Sequence, residues 1–192
     1  TRALADDLGV AGALDLSVVQ QSDVPGSAWF LPDELAASGV RRALLNHNHL
    51  VRGCRLPPLF RWRGPRGGEL LAAATNGYAE YGSPTPVPGG PEDLWGLSVT
   101  NPCRVPLAGT AVLTPVCYGE NCGPEFAGRE VEAVAAWNRR FAWPRIRIGG
   151  PEEWFAQVES EVDTAALPVI SGEISDWWIH GVRKRPSATA SL

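Results

Sequence analysis

Asp23 is the first residue whose surroundings suggest chemistry. It stands near the end of Leu16-Ser-Val-Val-Gln-Gln-Ser-Asp-Val-Pro-Gly26, where a short β-branched run passes into a polar turn. Loops at the carboxyl ends of parallel strands carry the reactive groups of α/β proteins, so a carboxylate there is a candidate nucleophile or metal ligand. An Asp ahead of Pro25-Gly26 is also a common turn former, and the local pattern leaves both roles open. Three further segments hold comparable groups. Asn46-His47-Asn48-His49 sets two histidines at i and i+2, on one side of an extended chain, where they can hold a metal, contact a sugar or cap a strand end. Tyr118-Gly-Glu-Asn-Cys122 offers Glu120 as a general acid or as a solvated loop residue, with Asn121 beside it. Ser171-Gly-Glu-Ile-Ser-Asp-Trp-Trp-Ile-His-Gly181 gathers Glu173, Asp176, Trp177, Trp178 and His180 into one short segment, a mixture that solvated turns seldom show.

The chain has eight tryptophans, of which Trp29, Trp62, Trp95, Trp177 and Trp178 fall in or beside the expected loops. An indole stacks on the C–H face of a sugar as readily as it fills a core. Carboxylates, indoles and an Asn/His cluster at neighbouring strand ends are the groups that carbohydrate chemistry uses. A retaining glycosidase needs one carboxylate as nucleophile and a second as acid/base, roughly 5–5.5 Å apart. On this reading Asp23, Glu120 and Glu173 converge at one end of a sheet.

The elements that would position these groups alternate. A short helix from Arg2 to Leu8 closes at Gly9. Leu14 to Val19 reads as a strand with both faces covered. Pro32 at the first helical position, followed by Asp33 and Glu34, opens a helix that Gly39 ends. Val40 to Leu45 is the next strand. Phe60 to Arg63 and Leu70 to Thr75 flank Gly64-Pro-Arg-Gly-Gly68 as a hairpin. Residues 82–108, rich in Pro and Gly, read as a long loop or lid. Thr110 to Cys117 is a strand and Phe126 to Phe141 a helix, with Ala127, Val131, Val134, Ala135 and Phe141 on one face. Ile146 to Ile148 is a short strand, Pro151 opens a helix through Val158, and Pro168 to Ile170 is the last strand. This order predicts an α/β fold with a mostly parallel sheet, open or closed into a barrel.

Composition narrows the classes. With 44% hydrophobic and 20% charged residues, the chain can bury a core as a single domain over residues 1–192. A net charge of −4, from 17 basic and 21 acidic residues, leaves no basic footprint for nucleic acid. No apolar run reaches the roughly 20 residues of a membrane helix, and no signal peptide is visible. Cys54, Cys103, Cys117 and Cys122 form no CxxC pair, which argues against structural zinc and for reduced thiols in a cytoplasmic protein, although Cys117 and Cys122 flank a loop and can pair if exported. The chain begins at Thr1 and contains no Met, so a fragment of a larger domain, truncated at both ends, is expected.

The motif order resembles the amino-terminal catalytic domain of family 38 glycoside hydrolases, the class II α-mannosidases, in a divergent branch. Gln21-Ser-Asp-Val-Pro-Gly26, with Trp29 and Leu31-Pro32, resembles that family's Asp-Pro-Phe-Gly-His-Ser segment, and Gly39-Val40 its following strand. Leu56-Pro-Pro-Leu-Phe-Arg-Trp62 resembles its hairpin, Tyr118-Gly-Glu-Asn121 its Gly-Asp-Asp or Gly-Asp-Asn segment, and Leu167-Pro-Val-Ile-Ser-Gly-Glu173, with Trp178-Ile-His-Gly181, its closing strand. The resemblance implies a partial (β/α) barrel and hydrolysis of terminal α-mannosides by a retaining two-carboxylate mechanism. It makes Asp23 the nucleophile and a zinc ligand, and Glu120 the acid/base. Substrate contacts are then expected from Trp29, Asn46, His47, His49, Tyr78, Asn121, Glu173, Trp178 and His180.

The departures are specific. The family's His-x-Asp metal pair lies upstream of the first motif, and nothing like it precedes Asp23 here. A further metal His lies beyond this chain's end in the family, Ser27 stands where many members have His, and Glu120 is a methylene longer than Asp. His47 and His49 do not match the family's metal pair. Two other classes stay open: a non-catalytic carbohydrate-binding relative, and a polysaccharide deacetylase-like metal hydrolase, against which the Gly-Glu and His-Gly segments argue.

Overall fold

The computed structural model describes residues 2–10, 12, 16–22, 24, 26–46, 56–75, 79–80, 105–106, 112–113, 116–117, 127–142, 145, 147 and 149–175. Its centre is a five-stranded sheet made of β1 (Val18–Ser22), β3 (Arg42–Asn46), β4 (Leu59–Arg63), β5 (Glu69–Thr75) and β10 (Val169–Ser171), in the order β1-β3-β5-β4-β10. Three of its four pairings are parallel, and only β4 with β5 is antiparallel. The expected mostly parallel α/β sheet is therefore present, while closure into a barrel is not seen among the described residues.

Each face of the sheet is covered, which is why β3 and β5 read as nearly unbroken apolar runs. Val18, Leu44, Leu59, Leu71 and Ala73 pack against Trp154, Phe155 and Val158 of the helix over Pro151–Glu161. Ala43, Leu45, Phe60, Trp62, Leu70 and Ala72 face the other way, under Leu31, Leu35 and Ala36 of α2 (Leu31–Ala37) and under Ile174. Fully burying a side chain of the size of Phe155 or Val158 contributes about 1.5–3 kcal/mol, so these two layers dominate the local stability.

The helix α1 (Arg2–Asp7) stops before Gly9, and α2 stops before Gly39, as their sequences predict. The helices α3 (Ala127–Arg140) and α4 (Pro151–Glu161) also lie where expected. In α3 the ring of Trp137 packs on Phe141, with Arg140 over the Phe141 face. The hairpin forms with Arg63 opposite Glu69 and Gly64 donating to the Gly68 carbonyl.

Three expectations change. The first strand runs Val18–Ser22 rather than from Leu14, because its register is set by pairing with β3 from Val18↔Arg42 to Ser22↔Asn46. The Thr110–Cys117 strand is replaced by two short ones, β8 (Val112–Leu113) on β7 (Val105–Pro106), and β9 (Val116–Cys117) on β6 (Ala79–Glu80). Pro115, which has no N–H for a ladder, separates them in sequence. Arg145 and Arg147 are in no strand; Ile146 and Ile148 lie outside the described residues, as do Leu14 and most of the expected lid.

Candidate functional site

Strands β1, β3 and β5 run in one direction, so they share a starting end and a finishing end. At the finishing end Ser22, Asn46 and Thr75 are register partners side by side. The next residues in the chain after Ser22 and Asn46 are Asp23 and His47. Two of the predicted segments therefore follow adjacent strand ends in the chain, the position where α/β folds gather reactive groups. Behind them, buried Ser27 of β2 (Gly26–Ser27) donates its hydroxyl proton to Gln21 Oε1 at 2.6 Å.

The last strand behaves differently. β10 is parallel to β4 and hence antiparallel to β1, β3 and β5. Its carboxyl end, Ser171, is level with Arg63 and Glu69 at the starting end. The strand that leads to Glu173 thus finishes at the opposite end of the sheet from the strand that leads to Asp23. A run such as Pro168-Val-Ile170 carries no direction of its own, and pairing with β4 supplies it; the expected convergence of Asp23, Glu120 and Glu173 turns on Asp23 and Glu120, which lie outside the described residues. Beyond Glu173 the chain turns back over the sheet, where β11 (Ile174–Ser175) pairs antiparallel with β2.

The starting end holds a dense set of polar contacts. Trp29 donates its indole Nε1–H to Ser171 Oγ at 3.1 Å. Asp33, expected only as a first-turn acid, is buried and accepts the backbone N–H groups of Arg66 at 3.1 Å and Gly68 at 2.7 Å. Arg42 meets Glu159 of α4 through Nε and Nη2, at 3.0 and 2.6 Å, and donates to Ser17 Oγ at 3.0 Å. Arg61 and Arg63 converge on Glu69 at 2.7 Å each. Burial pushes the Glu69 carboxyl up, but the hydrogen bonds and charges of the two guanidiniums outweigh it and hold the group below its ordinary range. A shallow pocket between Arg61, Glu69, Thr164 and Ala165 is walled by this self-satisfied ion pair, with Arg61 also donating to the Ala165 carbonyl.

Among the predicted site residues, the structure places Trp29 and Glu173, both exposed, near one another through Ser171, and places Asn46 on β3. Asp23, His47, His49, Tyr78, Glu120, Asn121, Trp178 and His180 lie outside the described residues. Trp62, expected beside a loop, is fully buried on β4. Ser171 and Asp33 were missed as positioning groups. Their partners are 142 and 33 to 35 residues away, so no local signal marks them. Among the described residues no three His, Cys, Asp or Glu side chains are grouped to hold a metal.

No protein-family model matches the chain, and no curated protein sequence matches it. Among solved structures, the chain is similar to the crystal structure of an alpha-mannosidase from Enterococcus faecalis V583, with a TM-score of 0.65 and 13% sequence identity. The likeness covers 90% of this chain and 19% of that one, so the chain spans about a fifth of the length of the mannosidase. At this identity the match establishes a shared fold.

Proposed function

We propose that the chain is part of a glycoside hydrolase-like protein that cleaves terminal α-mannosides with retention. The observation that supports this reading is the fold it shares with an alpha-mannosidase over nearly its whole length. The adjacency of Ser22 and Asn46 agrees with it, since Asp23 and His47 are the next residues in the chain.

In this reading an Asp23 carboxylate oxygen attacks the anomeric carbon while the bond to the leaving oxygen breaks and Glu120 delivers a proton to that oxygen. Glu120, now a carboxylate, takes a proton from the incoming water, whose oxygen displaces Asp23 from the anomeric carbon. Asn46, His47, His49, Tyr78, Asn121, Trp178 and His180 are assigned to substrate hydroxyls and ring faces. Zinc at Asp23 is implied by the family resemblance, where it would bind sugar hydroxyls and help distort the ring. The 192 residues are expected to lack turnover by themselves, because the upstream His-x-Asp pair of the family is absent from them.

The test is hydrolysis of an aryl α-mannoside by the full-length parent protein, assayed with and without added zinc. Asp23→Ala is expected to abolish turnover with the fold retained, and Glu120→Ala to slow it by about 10²–10⁴-fold, the usual contribution of a general acid or base. Unchanged turnover in Asp23→Ala sinks the nucleophile assignment. Sugar binding without hydrolysis by the unsubstituted protein favours the non-catalytic carbohydrate-binding alternative.

A further inference from the structure

In the sequence, Asp23-Val24-Pro25 is a three-residue spacer between the end of β1 and the start of β2. The residues on both sides of it are held. Before it, Gln21 and Ser22 pair with Leu45 and Asn46 in the central sheet. After it, Gly26 and Ser27 pair antiparallel with Ser175 and Ile174, and Ile174 is 1% exposed, in the apolar layer that includes Phe60 and Trp62. The two sides are also joined directly. Ser27, 4% exposed, donates its hydroxyl proton to Gln21 Oε1 at 2.6 Å, six residues back along the chain. This bond bridges residues 22–26, a span in which Pro25 restricts the backbone choices of Val24. One hydrogen bond adds little to a fold held by two apolar layers, so its effect falls on the span it closes.

We propose that Gln21 and Ser27 are a pair of positioning residues, whose hydrogen bond sets the distance between the two ends of the spacer and so aims the Asp23 carboxylate. The inference rests on the reading of Asp23 as nucleophile and adds the two residues that hold it in line. A nucleophile must stand about 3–3.5 Å from the carbon it attacks, and a misplacement of about 1 Å can cost about 10²-fold in rate. With only two soft torsions per residue, a three-residue spacer absorbs little change in its end-to-end distance. A shift of Ser27 relative to Gln21 is therefore passed on to Asp23. Ser27 is buried, so its part in the reaction is to place the carboxylate and not to touch the sugar. Loss of the pair then lowers kcat and leaves substrate affinity in place.

The experiment is steady-state hydrolysis of an aryl α-mannoside by the full-length parent protein and its variants, with circular dichroism giving the folded fraction. Ser27→Ala and Gln21→Ala are each expected to lower kcat per folded molecule about tenfold, with KM changed by less than about twofold. The double variant should lose no more than either single one, because both remove the same bond. Ser27→Thr, which keeps the hydroxyl, should recover most of kcat. Unchanged kcat in folded Gln21→Ala, or losses that multiply to about a hundredfold in the double variant, overturns the proposal. Hydrogen exchange at the Asp23 and Val24 amides reads the same bond without turnover, and it should speed up about tenfold in Ser27→Ala. If the parent protein hydrolyses no mannoside, that acceleration upholds the pair as a clamp on the spacer while the nucleophile reading fails. Unchanged exchange overturns the clamp in either case.

Discussion

The two ends of the five-stranded sheet are built by different means. At the starting end, side chains close on one another: Asp33 on the hairpin turn, Arg42 on Glu159, Arg61 and Arg63 on Glu69, and Trp29 on Ser171. At the finishing end the described order comes from strand register, with Ser22, Asn46 and Thr75 abreast and the Ser27–Gln21 hydrogen bond behind them. Folds with parallel strands commonly separate their work in this way, holding the fold together at the amino ends of strands and letting the loops at the carboxyl ends vary. Together with the proposed function, the contrast predicts that substitutions at the starting end act on stability, whereas those at Asp23 act on chemistry in a folded protein.

The strongest challenge to that division is Gly68→Ala. A methyl group there would sit 2.5 Å from the Asp33 Cα, and at Gly64 it would sit 2.4 Å from Oδ2 of the Asp33 carboxylate. Backbone must move to relieve the first overlap, so Gly68→Ala is expected to cost about 3 kcal/mol in urea denaturation. A cost near zero would show that the hairpin is not pinned. Next is Glu159→Ala, which leaves the buried Arg42 guanidinium without its carboxylate. A loss of about 2–3 kcal/mol is expected, with Glu159→Gln less severe because it keeps one acceptor.

Asp33→Asn should have a smaller effect, about 1–2 kcal/mol, because its amide keeps one oxygen acceptor but turns an NH₂ toward the second backbone N–H. If hydrolysis per folded molecule fell in Asp33→Asn while stability did not, the two ends would be coupled and the division would fail.

The smallest effect concerns pH. Glu69 has a lowered folded-state pKa, whereas the unfolded chain returns it to the ordinary value of 4.5. Below that value the unfolded state binds more protons than the folded state does. The contribution of Glu69 is therefore complete above the unfolded pKa and is lost as pH falls through the folded one. Denaturation midpoints of the parent protein and Glu69→Gln should converge as pH drops below this range. Parallel curves would mean that the two arginines do not hold the carboxylate in its charged form.

Much of the local structure is legible in the sequence. Pro32 and Pro151 open helices, Gly9 and Gly39 follow the ends of α1 and α2, and Gly64-Pro-Arg-Gly-Gly68 turns a hairpin, because each signal acts through the φ angles or hydrogen bonds of a few consecutive residues. The alternating element order likewise implies a mostly parallel sheet. The position of β1 was less legible. Gln20, Gln21 and Ser22 are strand residues by virtue of their pairing with β3, which an apolar count starting at Leu14 does not register.

For the site, the sequence determined the inventory: carboxylates, histidines and indoles clustered at segment ends. Only the tertiary structure decided which ends meet. It set Ser22 and Asn46, which precede Asp23 and His47 in the chain, on neighbouring strands, and it sent the strand before Glu173 the other way. It also gave Trp29 to Ser171 and Asp33 to the turn glycines. The reason is that a strand's own pattern fixes which side chains share a face but not which way the strand runs. Direction and neighbours come from hydrogen-bonded pairing between segments far apart in the chain.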